Sequence, residues 1–70
     1  MSKLDERIIK AVLLDDASAV GRIADMLRFR WGMTYRETFE RFSKAEPSLL
    51  LSDFEDFLLE AEHLESSFNG

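Results

Sequence analysis

One pair of side chains in the last third of the chain has the spacing of a metal-ligand set. Glu60 and His63 form a Glu-x-x-His sequence, which on a helix places a carboxylate and an imidazole one turn apart. Di-iron carboxylate bundles use this spacing with a further glutamate from a neighbouring helix. Here both residues fall at the edge of the apolar stripe of their helix, so a solvated surface pair is the simpler interpretation. We therefore expect no metal site and no cofactor.

No arrangement of residues in the sequence indicates catalysis. The single histidine has no suitably placed serine or cysteine partner, and no glycine-rich phosphate loop is present. The aromatic residues, Phe29 among them, are expected in the core rather than around a cofactor. We expect that the protein is not an enzyme.

The charges suggest a binding function instead. Residues 1–44 contain all nine Lys/Arg side chains against seven acids, whereas residues 45–70 contain seven acids and no base. Oppositely charged segments can attract each other, within one molecule or across a dimer, or can be reserved for a partner. We expect a protein partner, as for a small regulator or an antitoxin-like inhibitor. The predicted partner surface comprises Arg28, Arg30, Arg36, Asp53, Asp56 and Glu60.

The basic middle of the chain also allows a nucleic-acid hypothesis. Residues 17–45 have the pattern of a helix-turn-helix, with 35–45 as a recognition helix that carries three cations. However, the chain is acidic overall, and Arg28 stands four residues before Gly32, where the DNA-binding motif has a small residue. We do not expect nucleic-acid binding, and a DNA-binding transcriptional regulator remains the alternative function.

The elements that must position these residues are helices. Gly32 is placed to end one helix, because glycine accepts a left-handed backbone. Thr34 and Glu37 have the spacing of a capping box that starts the next. We predict one domain, residues 1–70, with helices at about 3–31, 35–45 and 52–66. Ser52 and Glu55 would form a second capping box at the start of the last helix.

The first helix is the uncertain element. Its apolar residues keep one phase through Asp15 and Asp16, which favours a long continuous helix, although both aspartates also favour a turn. The fold class is therefore an all-α three-helix bundle, or a four-helix bundle if the first helix breaks near Asp16. A continuous helix would expose an apolar stripe for a homodimer. That predicted interface consists of Ile9, Leu13, Val20, Ile23 and Leu27.

Composition agrees with a small helical protein that gains stability by association. A chain of 70 residues without cysteine buries a limited core and has no disulfide to support it. The apolar runs extend over three or four residues, too few for a membrane span, and the N-terminus has no signal-peptide pattern. We expect a cytoplasmic location and no membrane partner.

Overall fold

The computed structural model describes the backbone of residues 1–69 and the side chains of residues 1–66. Within this range the chain is helical and contains no strand, so the predicted all-α class is confirmed. Four helices are present rather than three. They are α1 (Lys3–Leu13), α2 (Ala17–Asp25), α3 (Tyr35–Ala45) and α4 (Leu51–Asn69), and α2 continues into one π-helical turn, Met26–Arg30.

The first helical segment breaks at two aspartates, so the prediction of one helix over residues 3–31 is wrong. Asp15 adopts a left-handed conformation with φ of 56°. Its N–H donates to the Val12 carbonyl (3.1 Å), and the Asp16 N–H donates to the Ala11 carbonyl (2.9 Å), as in a Schellman motif. Asp16 then caps α2, because its Oδ1 accepts from the Ala19 N–H at 3.1 Å.

The break folds α1 back onto its neighbours. The molecule extends 37 Å along its longest axis, whereas an unbroken helix over residues 3–30 would span about 42 Å. Folding back buries Ile8 of α1 and Val20 of α2 completely within one chain. A short helix pair thereby removes from water the stripe that a long helix would have exposed.

The predicted dimer interface is corrected for the same reason. Val20, Ile23 and Leu27 are core residues with at most 2% of their surface exposed. They are therefore not available to a second copy. Ile9 is partly buried, and Leu13 is exposed to 67%.

Helices α2 and α4 cross at a glycine. A Cβ atom placed on Gly21 would lie 2.6 Å from the Ala61 Cβ, well inside van der Waals contact. Only a residue without a side chain allows the two backbones to approach this closely. The mid-helix glycine thus lowers helix propensity but permits the main contact of α4 with the rest of the fold.

The turn before α3 forms as the sequence predicts. Gly32 has φ of 69°, and the Met33 N–H donates across it to the Leu27 carbonyl at 3.1 Å. The Thr34 Oγ1 accepts from the Glu37 N–H (3.1 Å), and the Glu37 carboxylate accepts from the Thr34 N–H (2.9 Å). Both halves of the predicted capping box are present.

The last helix starts one residue earlier than predicted and carries the central aromatic residue. Asp53, rather than Ser52 and Glu55, caps α4, since its Oδ2 accepts from the Leu50 N–H at 3.2 Å. Phe54 is fully buried. Its ring lies 5.0–5.6 Å from three ring centroids of α3, those of Tyr35, Phe39 and Phe42.

Candidate partner-binding surfaces

A groove of about 410 Å³ runs between the end of α1, the α3–α4 connection and α4, and we call it the acidic groove. Four carboxylates line it: Asp15, Asp53, Asp56 and Glu60. Among the side chains that the structure describes, no basic one lines it. Three of the six residues of the predicted partner surface are thus brought together, and Asp15 joins them from the turn between α1 and α2.

The floor of the acidic groove is apolar. Val12, Leu13, Leu49 and Phe57 contribute to it. Leu49 and Phe57 are nearly buried and give a fixed surface, whereas Leu13 is exposed to 67%. A partner that covers Leu13 gains hydrophobic free energy, and the carboxylates around it select the partner's charge.

Local structure explains why these carboxylates converge on one groove. Asp53, Asp56 and Glu60 follow one another at steps of three and four, so they share one face of α4. Asp15 arrives from the opposite side because the left-handed turn at the end of α1 holds it there. Sequence periodicity is enough to place the first three on one face of α4, whereas the position of Asp15 follows only from the break between α1 and α2.

The acidic groove is suited to an extended cation rather than to a metal ion. Among the side chains described, no three Asp, Glu, His or Cys residues come together closely enough to hold a metal. Glu60 and His63 are both exposed and form no such group. Carboxylates spaced along a groove can instead contact several guanidinium or ammonium groups of one segment.

A second surface lies at the end of the π-helical turn. We call residues 28–31 (Arg28, Phe29, Arg30 and Trp31) the aromatic tip. Phe29 is exposed to 78% and Trp31 to 70%. The Arg28 guanidinium lies 5.4 Å from the Phe29 ring centroid, within the range of a cation–π contact.

The prediction that Phe29 belongs to the core is wrong. Leu27 is the last core residue of its stripe. A step of two residues places Phe29 on nearly the opposite side of the helix axis from Leu27, the side facing solvent. The sequence contained this signal, because Phe29 is out of phase with Val20, Ile23 and Leu27.

The three arginines predicted to meet a partner are exposed but do not form one site. Arg28 and Arg30 belong to the aromatic tip, whereas Arg36 lies in the first turn of α3. Tyr35, the first residue of α3, packs against Phe54 of α4 and lies close enough to Arg28 of the tip to respond to its charge. Burial raises the pKa of Tyr35 most, the Glu55 carboxylate raises it further, and the Arg28 charge opposes this.

The cations of α3 are less available than the helix-turn-helix hypothesis requires. The Arg41 guanidinium lies 2.6 Å from the Asp5 carboxylate of α1, and both side chains are three-quarters buried. Arg41 and then Ser2 hold the pKa of Asp5 below its usual value. Arg41 is therefore engaged in joining α1 to α3, and Arg36 and Lys44 are the exposed cations of this helix.

No helix in the described part of the chain has both the length and the apolar character needed to cross a membrane. Comparisons of the chain with protein-family models, with curated proteins and with solved structures found no match.

Proposed function

We propose that the protein is an interaction module that binds a basic, amphipathic segment of a protein partner in the acidic groove. The observation that carries this proposal is the combination of four carboxylates with the exposed Leu13 over an apolar floor. Such a module regulates its partner by masking a basic surface. This is the role of a small inhibitor, and it requires no chemistry.

The two components of the groove have different tasks. The carboxylates attract a cationic segment over a distance and fix its register, which raises the association rate and makes it dependent on salt. The apolar floor and Leu13 provide the contact that slows dissociation. A lysine-rich peptide without apolar residues should consequently bind more weakly than one with leucines on a second face.

Peptide titration tests this proposal directly. The probe is a designed helical peptide with lysines on one face and leucines on the other, and the same peptide with glutamates in place of the lysines is its reference. We expect calorimetry to detect binding of the lysine peptide and no binding of the glutamate peptide. Raising the salt concentration should weaken it, because exposed charges are screened.

A pair of variants locates the binding site. Asp56→Lys with Glu60→Lys reverses two charges of the acidic groove, and we expect it to weaken binding by at least about tenfold. Glu62→Lys with Glu65→Lys makes the same change in the same helix, at residues that line the groove between α2 and α4 instead. The proposal fails if the lysine peptide does not bind, or if both variants lose binding equally.

DNA binding through residues 35–45 is the second candidate function, and the basic turn-and-helix segment supports it. The pairing of Arg41 with Asp5 weakens it, because one of the three cations of α3 is already engaged. A salt-sensitive shift of duplex DNA that Arg36→Glu with Lys44→Glu abolishes would favour this function. Absence of any shift at low salt would dismiss it.

A further inference from the structure

The proposed function leaves the aromatic tip unused. Phe29 and Trp31 lie two residues apart at the end of the π-helical turn, and each is exposed to more than two thirds. Exposed large aromatic side chains placed together mark interaction sites, since burying them is strongly favourable. The charged residues of the tip are Arg28 and Arg30, so the tip is suited to an acidic partner surface.

The backbone holds the aromatic tip in place. The π-helical turn ends at Arg30, and the bond from the Met33 N–H to the Leu27 carbonyl closes the chain beneath it. The capping box at Thr34 then fixes the start of α3. A surface that is ordered before binding loses little conformational entropy when it docks. Single π-helical turns are often found at functional sites.

The tip and the acidic groove are complementary in both charge and polarity. The tip offers guanidinium groups beside exposed aromatic rings, and the groove offers carboxylates beside an exposed leucine. They do not pair within one molecule: among the described side chains, the one ion pair joins Asp5 and Arg41. Each surface is therefore available to a second copy of the chain.

We propose that the aromatic tip of one copy docks in the acidic groove of another. Trp31 and Phe29 cover Leu13 and the apolar floor, and the arginines of the tip meet the carboxylates of α4. This inference rests on the proposed function, because it names a second copy as an occupant of the same groove. Self-association then competes with the partner, so the protein regulates access to its own binding site.

The contact joins two different surfaces, so it is heterologous. Such a contact closes into a dimer or ring where the rotation allows and otherwise extends into a chain of copies. It replaces the predicted dimer interface along α1 and α2, of which Val20, Ile23 and Leu27 are buried in each monomer. It also suits a domain of this size, for which association is a common source of stability.

Trp31 makes the test simple, because it is the only tryptophan in the sequence. We expect its fluorescence to shift to shorter wavelength as the protein concentration rises, in step with the mass measured by analytical ultracentrifugation. High salt should reverse both changes. A protein that remains monomeric up to millimolar concentration would overturn the proposal.

Charge reversal on each side gives a complementation test. The tip variant is Arg28→Glu with Arg30→Glu, and the groove variant is Asp56→Lys with Glu60→Lys. We expect each alone to weaken self-association by at least about tenfold, and an equimolar mixture to restore it as a pair. All four residues are exposed, which favours retention of the fold, and circular dichroism verifies it.

The matched control changes two exposed cations of α1 that belong to neither surface. Lys3→Glu with Arg7→Glu alters the net charge as much as the tip variant does and should leave self-association unchanged. Equal loss in the control, or no recovery in the mixture, would refute docking of tip into groove. So would a monomeric protein whose Trp31 fluorescence shifts on phosphatidylserine vesicles or oligothymidine, which would assign the tip to lipid or nucleic acid.

The outcomes separate this inference from the proposed function. If the protein stays monomeric while the lysine peptide binds the acidic groove, the inference fails and the proposed function stands. If copies associate through tip and groove but the lysine peptide does not bind, self-association stands and the proposed partner binding fails. Failure of both measurements removes the acidic groove as a binding site.

Discussion

Substitution of Asp15 distinguishes a broken first helix from a continuous one by the sign of its effect. In the structure this residue has φ of 56° at the end of α1. A left-handed conformation costs an L-residue with a side chain about 1–2 kcal/mol. Glycine avoids that cost but loses about 0.5–1 kcal/mol more backbone entropy on folding. Asp15→Gly should therefore be more stable than Asp15→Ala by about 1 kcal/mol.

A continuous helix would give the opposite order of stability for the two variants. There residue 15 would be interior, where alanine is about 1 kcal/mol better than glycine. The two architectures thus differ by about 2 kcal/mol in the comparison of the two variants. Both variants remove the carboxylate, so electrostatic effects at the acidic groove cancel in the difference.

Thermal unfolding followed by circular dichroism measures the effect. For a domain of this size, 1 kcal/mol corresponds to a shift of roughly 4–8 °C in Tm, well within the precision of the method. We expect the glycine variant to unfold at the higher temperature. An alanine variant with the higher Tm would refute the left-handed turn and the four-helix arrangement built on it.

Two further predictions concern the contact of α2 with α4 and the start of α3. Gly21→Ala should lower the free energy of unfolding, measured by urea denaturation, by about 1 kcal/mol, because overpacking against Ala61 outweighs the gain in helix propensity. Adding Ala61→Gly should recover most of the lost stability. A Gly21→Ala variant as stable as the parent would contradict the close approach of α2 and α4. Hydrogen bonds with the backbone and then the side chain of Thr34 lower the pKa of Glu37 from its usual value of 4.5. The capping interaction therefore stabilises the fold above that pH, and this stabilisation is lost as the pH falls through the lowered pKa. Glu37→Gln, which removes the titrating charge, should destabilise the fold at neutral pH and do so less in acid, whereas a constant cost across the pH range would argue against the coupling.

Part of the candidate site could be predicted from the sequence. The spacing of Asp53, Asp56 and Glu60 is enough to place them on one face of a helix, because helical periodicity is a local property. The other contributors include Leu13 at the end of α1 and Asp15 in the turn that follows it. Their approach depends on how α1 packs, which no local pattern specifies. The exposure of Trp31 likewise depends on the orientation of the turn that carries it.

The sequence by itself determined the helices and where most of them end. Gly32 and the Thr34–Glu37 capping box set the turn and the start of α3, because they act through hydrogen bonds and backbone preferences within a few residues. The all-helical class follows in the same way from the apolar periodicity.

Only the tertiary structure decided whether the first segment is one helix or two. The apolar phase through Asp15 and Asp16 is the same in both cases, so the pattern could not distinguish them. The outcome depends on burial: folding back lets Ile8 and Val20 leave water within one chain, whereas a long helix would leave part of that stripe exposed. That choice buried Val20, Ile23 and Leu27 of the predicted dimer interface, and it placed Leu13 and Asp15 at the acidic groove.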